Sequence, residues 1–185
     1  ATAAARAAAF PPVLAEGLYL LGDLRSESGD TAAADEALRE ALDVALAAHQ
    51  QRTAARAAAR LVFVIGAQAA RPKEGHQWAR TAEALLTALG GDAEVRGWLL
   101  AGDAAVLIAE GRYQDAEARM QEAVTLRRRA LGPEHPAVAG SLLTMANTLF
   151  YQGRYAEAIQ QYQAAQVLWE QQHGPDHPYV GICLD

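Results

Sequence analysis

One segment of this chain returns at a fixed interval, and that interval limits the possible folds more than any other feature. Gly111-Arg112-Tyr113-Gln114-Asp115-Ala116-Glu117-Ala118 recurs 42 residues later as Gly153-Arg154-Tyr155-Ala156-Glu157-Ala158-Ile159-Gln160. A second landmark keeps the same step: Leu131-Gly132-Pro133-Glu134-His135-Pro136-Ala137-Val138 becomes His173-Gly174-Pro175-Asp176-His177-Pro178-Tyr179-Val180. Upstream, Gly29-Asp30-Thr31 and Arg71-Pro72-Lys73 stand in the place of the Gly-Arg-Tyr turn. The small residue opening the segment after each turn is Ala34, Gly75, Ala116 and Ala158, at intervals of 41, 41 and 42. A period of this length belongs to chains that stack like units in a line, each burying a face of its neighbour.

Within a unit the apolar residues follow helical spacing. Leu142, Met145, Ala146 and Leu149 fall at i, i+3, i+4 and i+7, and Ala158, Tyr162 and Ala165 stripe the segment after the turn. The first unit shows Leu18, Leu21 and Gly22, then Ala34, Leu38 and Ala41; the third shows Leu100, Ala104 and Leu107, then Ala116, Met120 and Ala123. Hydrophobic residues make up 51% of the chain and aromatic ones only 6%, with alanine dominant, which favours close-packed helices over sheets. Each unit therefore reads as a hairpin of two helices. Between units, Gly132 ends a helix, Pro133 prevents its continuation, Glu134 or His135 lies near the next cap and Pro136 suits a first turn. Gly174 to Pro178 repeat this logic, so Tyr179 to Leu184 read as the first turns of a fifth unit.

The expectation is an all-α single array over 1–185. Its units lie at about 13–50, 52–90, 92–132 and 134–174, with the start of a truncated fifth at 176–185. Ala1 is not a methionine and Asp185 falls inside the fifth unit, so the chain reads as a piece of something longer.

These residues resemble tetratricopeptide repeats, in the longer form of about 42 residues known from kinesin light chains and many bacterial proteins. The resemblance runs from about Val13 to Val180. It implies a right-handed superhelical solenoid of antiparallel helix hairpins. Unit two departs from the pattern, with Ala70 for the turn glycine and Pro72 for the tyrosine. A narrower likeness is carried by Leu61-Val62-Phe63-Val64-Ile65-Gly66 followed by Trp78-Ala79-Arg80-Thr81-Ala82-Glu83-Ala84-Leu85. This is similar to the region downstream of the catalytic domain in myxobacterial-type serine/threonine protein kinases. It implies a kinase domain elsewhere in a parent chain, since the glycine-rich loop, His-Arg-Asp and Asp-Phe-Gly are all missing from this sequence.

Charge and chemistry narrow the function further. A net charge of -6 disfavours a nucleic-acid partner, which would select a basic face. Arg127-Arg128-Arg129 read as cations at the negative end of a helix dipole. Cys183 is the single cysteine, so no disulfide framework exists. No run approaches the length of a membrane span, and the expected location is cytoplasmic. His135 and His177 recur at a connector and read as caps; His49 and His76 read as helix-surface residues. His173 and His177 are separated by Gly174 and Pro175, which prevents a helical metal pair. Gly90-Gly91-Asp92 read as a helix stop and N-cap, and Ser26, Ser28 and Ser141 have no recognisable triad partners. No catalytic residue, cofactor or metal is expected. Trp78, Trp98, Trp169, Tyr155 and Tyr162 read mainly as packing between helices.

In the resembled family the first helices of successive units line a concave groove. That implies Glu16, Tyr19, Asp23 and Ser26 in unit one, and Ala57, Arg60, Val64 and Ala67 in unit two. Unit three contributes Trp98, Ala101, Ala105 and Ile108, and unit four Gly140, Leu143, Asn147 and Phe150. Such a groove would be acidic in unit one and apolar around Trp98, Ile108, Leu143 and Phe150. The expected function is a protein-interaction scaffold that holds a protein or peptide, with basic character suited to the acidic end, as a regulatory or recruiting segment of a larger signalling protein. The alternative is self-association through the apolar ends of the array, in a multidomain kinase.

Overall fold

A computed structural model describes residues 10–174. The predicted fifth unit, with His177 and Cys183, lies outside the described residues. Among the described residues eight α-helices follow one another: α1 Pro11–Glu27, α2 Thr31–Ala47, α3 Gln51–Leu61, α4 Pro72–Ala88, α5 Ala93–Ala109, α6 Tyr113–Leu131, α7 Pro136–Tyr151 and α8 Tyr155–His173. Helix α3 runs on without a break into a π-helical segment, Val62–Gln68.

The turns fall where the repeat put them. Every hairpin closes at a residue in the left-handed region: Gly29 at φ 81°, Ala70 at 53°, Gly111 at 75° and Gly153 at 76°. The next amide then reaches back to the end of the preceding helix, as Arg112 N–H does to the Leu107 carbonyl at 2.8 Å and Arg154 N–H to Leu149 at 3.0 Å. At the second turn the bond spans one residue more, from Arg71 N–H to Ile65, because the π-helical segment holds an extra residue. Ala70 adopts a conformation that costs an L-residue about 1 kcal/mol and that glycine occupies freely in the other three units.

Starts are equally local. Asp30 and Asp92 accept from the amides of Ala33 and Val95, at 3.2 and 2.9 Å, and His135 Nδ1 accepts from Ala137 N–H at 3.2 Å. Pro72 and Pro136 occupy first-turn positions, where a missing amide hydrogen costs nothing. Gly90-Gly91-Asp92 are the helix stop and cap that they read as. His49 corrects its sequence reading, since it sits in the turn after α2 with φ 56° and not on a helix surface.

Packing runs along the chain. Each helix rests on its sequence neighbours, and α1 touches α3, α3 touches α5 and α5 touches α7, with no substantial contact between more distant helices. Four apolar clusters follow in line, from Ala15, Leu18, Leu38, Ala54 and Leu61 in the first to Val138, Leu142, Ala165 and Trp169 in the last. Buried alanines such as Ala34, Ala41, Ala116 and Ala123 let the helices of a hairpin approach closely. At the second unit the approach is closer still. A Cβ built on Gly66 would lie 2.3 Å from Val106 Cγ2 and 3.0 Å from the Gly75 Cα, so the π-helical segment, α4 and α5 meet at a point that admits no side chain.

The arginine run divides. Arg128 and Arg129 lie exposed in the last turn of α6 as expected. Arg127 does not: it is buried, fills the space over Gly97, and donates through Nη1 to the Ala137 carbonyl at 2.9 Å and Ser141 Oγ at 2.6 Å. Burial pushes its guanidinium down to about 10, still fully charged at neutral pH.

Candidate protein-interaction surface

First helices approach one another from unit to unit more closely along their backbones than second helices do, which meet through side chains such as Arg39 over the Trp78 ring at 5.0 Å. The array therefore curves with α1, α3, α5 and α7 on its inner side. The two halves of that inner surface differ in chemistry.

Across α1 and α3 the surface is laced shut by polar pairs one repeat apart. Glu16 meets Arg56 at 2.5 Å and Thr53 Oγ1 at 3.2 Å, and Asp23 meets Arg60 at 2.6 Å. Ser26 Oγ donates to Gln68 Oε1 at 2.9 Å, while Gln68 Nε2 donates to the Ser26 carbonyl at 3.0 Å. The Arg56 guanidinium also lies 4.1 Å from the centroid of the Tyr19 ring and that of Arg60 5.2 Å from Phe63. Arg52 continues the series to unit three, with Asp92 at 2.7 Å and Glu94 at 2.6 Å. Backbone amides at the α5 cap and Arg52 together hold the Asp92 carboxyl below its usual range, although burial opposes them as the largest single influence.

Four of the expected groove residues are corrected by burial: Tyr19, Ser26, Ala57 and Val64. Tyr19 and Val64 are both 0% exposed, so neither offers a surface to a partner. Tyr19 supports Trp98 at a ring separation of 6.3 Å, and burial, with Asp23 second, pushes its hydroxyl up to about 12. The acidic end that the sequence implied is neutralised within the molecule, because Glu16 and Asp23 are already engaged by Arg56 and Arg60. Their signal was in the sequence: Arg52, Arg56 and Arg60 recur every four residues along one face of α3.

Across α5 and α7 the surface is open and mainly apolar. Trp98, Ala101, Ala105 and Ile108 are half-buried along α5, and Leu143 and Asn147 along α7. A Cβ built on Gly140 would meet nothing within 4 Å. Asn147 Oδ1 accepts from the Tyr162 hydroxyl at 2.5 Å, which fixes its amide. Phe150 is 51% exposed and belongs to a surface group that the sequence reading missed. Its ring lies 5.3 Å from Tyr155 and 5.9 Å from Tyr151, and Tyr151 stacks on Tyr113 at 5.6 Å. The repeated Gly-Arg-Tyr turn supplies Tyr113 and Tyr155, and that repetition was the available signal.

Away from this surface, His76 lies 3.6 Å from Asp103 and 3.1 Å from Glu110, and Asp103 also pairs with Arg119 at 3.0 Å. A hollow of about 460 Å³ between α6 and α8 is lined by Glu117, Gln121, Arg128, Arg154 and Glu157, with Leu142, Met145 and Leu149 of α7 at its floor. Among the described residues no group of three or more His, Cys, Asp or Glu side chains is arranged to hold a metal, and no helix is long and apolar enough to cross a membrane.

A family model described as tetratricopeptide repeat matches residues 98–166 and 138–185, and a second with the same description matches 15–47. The chain belongs to the tetratricopeptide repeat family. Solved structures agree on the fold. BtubC (BKLC) from P. vanneervenii superposes with a TM-score of 0.73 at 17% identity, covering 98% of this chain and 78% of that one. The nearly identical TPR-like repeats of a Podosopora anserina protein, described as a candidate kinesin light chain, give 0.64 at 17% identity, covering 94% and 82%. No curated protein sequence matches the chain. Tetratricopeptide repeats generally mediate protein–protein interaction, and the fold is typically a non-catalytic scaffold.

Proposed function

We propose that the chain is a scaffold that holds a peptide or protein segment against the α5–α7 half of its inner surface. The observation that carries this reading is the open apolar strip formed by Ala101, Ala105, Ile108, Gly140, Leu143 and Phe150. Small residues at 101, 105 and 140 leave room for a partner's side chains, while Ile108, Leu143 and Phe150 supply apolar area and Asn147 a fixed polar group for register. The α1–α3 half acts as a braced support, because its charges are satisfied internally. A basic partner gains little there. The likeness of Leu61–Gly66 and Trp78–Leu85 to kinase-associated repeats supports a recruiting or regulatory role in a larger, cytoplasmic bacterial signalling protein.

The test is a displayed peptide library screened against the full 185-residue chain. Peptides selected on the wild type should lose at least about tenfold in affinity with Ile108→Glu and Leu143→Glu, and several-fold with Phe150→Ala. Binding that survives all three substitutions but falls with Arg56→Ala would place the site on the other half.

A further inference from the structure

On the outer face the second helices of neighbouring units stand side by side, and among the described residues the gaps between them are closed in different ways. Each gap takes the fifth residue after the small opening residue of one second helix and the third residue after that of the next. These positions are Arg39 and Trp78 in the first gap, Arg80 and Arg119 in the second, and Gln121 and Gln161 in the third. In the first, Arg39 lies over the Trp78 ring, and Trp78 packs on the cluster that holds Leu61 and Ile65 of α3. That floor is sealed, with Leu61 at 0% and Ile65 at 1% exposed. In the second, Arg119 pairs with Asp103 beside His76, so a polar network spans the gap. The third has neither plug. Gln121 and Gln161 line the hollow of about 460 Å³ between α6 and α8, and its floor of Leu142, Met145 and Leu149 keeps 3%, 6% and 4% of its surface open.

The first gap shows what fits such a space, a flat aromatic ring laid on an apolar floor. The third gap keeps the floor and lacks the ring. Its walls offer amides in place of the cation: Gln161 has no hydrogen bond among the described residues, and Gln121 makes only a long one, from Nε2 to Glu117 at 3.4 Å. Either can pair with an indole N–H or with a peptide backbone. The two ends differ in charge. At one, Arg154 holds Glu117 at 2.7 Å and Glu157 at 2.6 Å. At the other, Arg128 is exposed in the last turn of α6 with no ion pair among the described residues. From Glu117 to Arg128 the trough follows α6 for about 16 Å, the length of about five residues of extended chain and far more than one ring. Arg128 lies about 10 Å beyond Gln121, three residues of such a chain.

We infer that the α6–α8 hollow binds an extended segment of a protein partner. The segment inserts an indole-sized aromatic side chain between Gln121 and Gln161 and sets a carboxylate, about three positions away, on Arg128. The ring occupies the place that Trp78 fills in the first gap, and the unpaired cation selects the acidic neighbour. This site is on the outer face and does not rest on the α5–α7 reading.

Nitrogen–proton correlation NMR on the full chain, titrated with N-acetyl-tryptophanamide, tests the ring subsite. The side-chain amides of Gln121 and Gln161 should shift saturably, with a Kd on the order of 1 mM, and N-acetyl-alaninamide should leave them in place. One of the two tetrapeptides Ac-Trp-Gly-Gly-Glu-NH2 and Ac-Glu-Gly-Gly-Trp-NH2 should bind at least about threefold more tightly than its lysine-for-glutamate counterpart, and Arg128→Gln should erase that preference. Gln121→Arg with Gln161→Trp carries the plug of the first gap into the third. It should raise the unfolding midpoint by about 2–4 °C and weaken ring uptake at least about tenfold. Phe150→Ala, on the inner surface, should leave uptake unchanged. A ring that produces no saturable shift at the hollow overturns the inference, including the case in which residues 175–185 or a second copy already fill it. So does uptake that persists in the double variant or is lost with Phe150→Ala, and equal affinity for the glutamate and lysine peptides overturns the part given to Arg128.

Discussion

The first two units and the last two follow one repeat, yet they solve the same packing problem in different ways. Units three and four keep glycine at their turns, regular α-helices throughout and an inner surface of small and apolar residues. Units one and two brace the inner surface with Glu16–Arg56 and Asp23–Arg60, and unit two extends α3 through seven π-helical residues and turns at an alanine. A repeat can therefore hold its pitch while one end becomes stiff support and the other stays available to a partner.

Substitutions in both halves probe that contrast, and the largest effect belongs to the joint in unit two. Gly66→Ala should destabilise the protein by about 2–3 kcal/mol in urea or guanidinium unfolding, because its Cβ collides with Val106 and with the Gly75 backbone. Gly140→Ala, in the open half, should instead stabilise by about 0.5–1 kcal/mol, since the helix loses a glycine and the new Cβ meets nothing. If both prove harmless, the two halves are packed alike.

Alkaline pH separates the halves next. Burial keeps the Tyr19 proton on until about pH 12, whereas the unfolded chain releases it near 10. The folded state binds the extra proton across that window. Its stabilising share is complete below pH 10 and is lost as pH rises through 12, on the order of 2 kcal/mol. Unfolding curves of Tyr19→Phe should fall less steeply than those of the wild type between pH 10 and 12. Parallel curves would sink the assignment.

Smaller effects follow from the braces and the turn. Arg60→Ala should cost about 1 kcal/mol, since Asp23 is then left partly buried without its cation. Ala70→Gly should stabilise by a few tenths of a kcal/mol, relief of the left-handed backbone slightly exceeding the entropy of an added glycine. Gly111→Ala, the mirror test in unit three, should cost about 1 kcal/mol.

Much of this was legible in the residues. The turns at 29, 70, 111 and 153, the cap at Asp92 and the helical register all follow from chemistry acting within a few positions. What was not legible depends on contacts one repeat away. The pairing of Glu16 and Asp23 with α3, the burial of Tyr19 and Val64, and the descent of Arg127 over Gly97 each require knowing which side chains face each other between units. The π-helical segment was hidden for a related reason: Leu61 to Gly66 is an ordinary apolar run, and its extra residue is absorbed only because Gly66 and Gly75 let two backbones meet.

That meeting of glycines has a consequence for how such an array can change. Repeat proteins lengthen, shorten and shuffle because like units are interchangeable parts. Here the second unit fits only a neighbour that offers a valine at position 106 and a helix without side chains at its point of closest approach. It is a keyed joint, and any rearrangement of this array has to carry units two and three together.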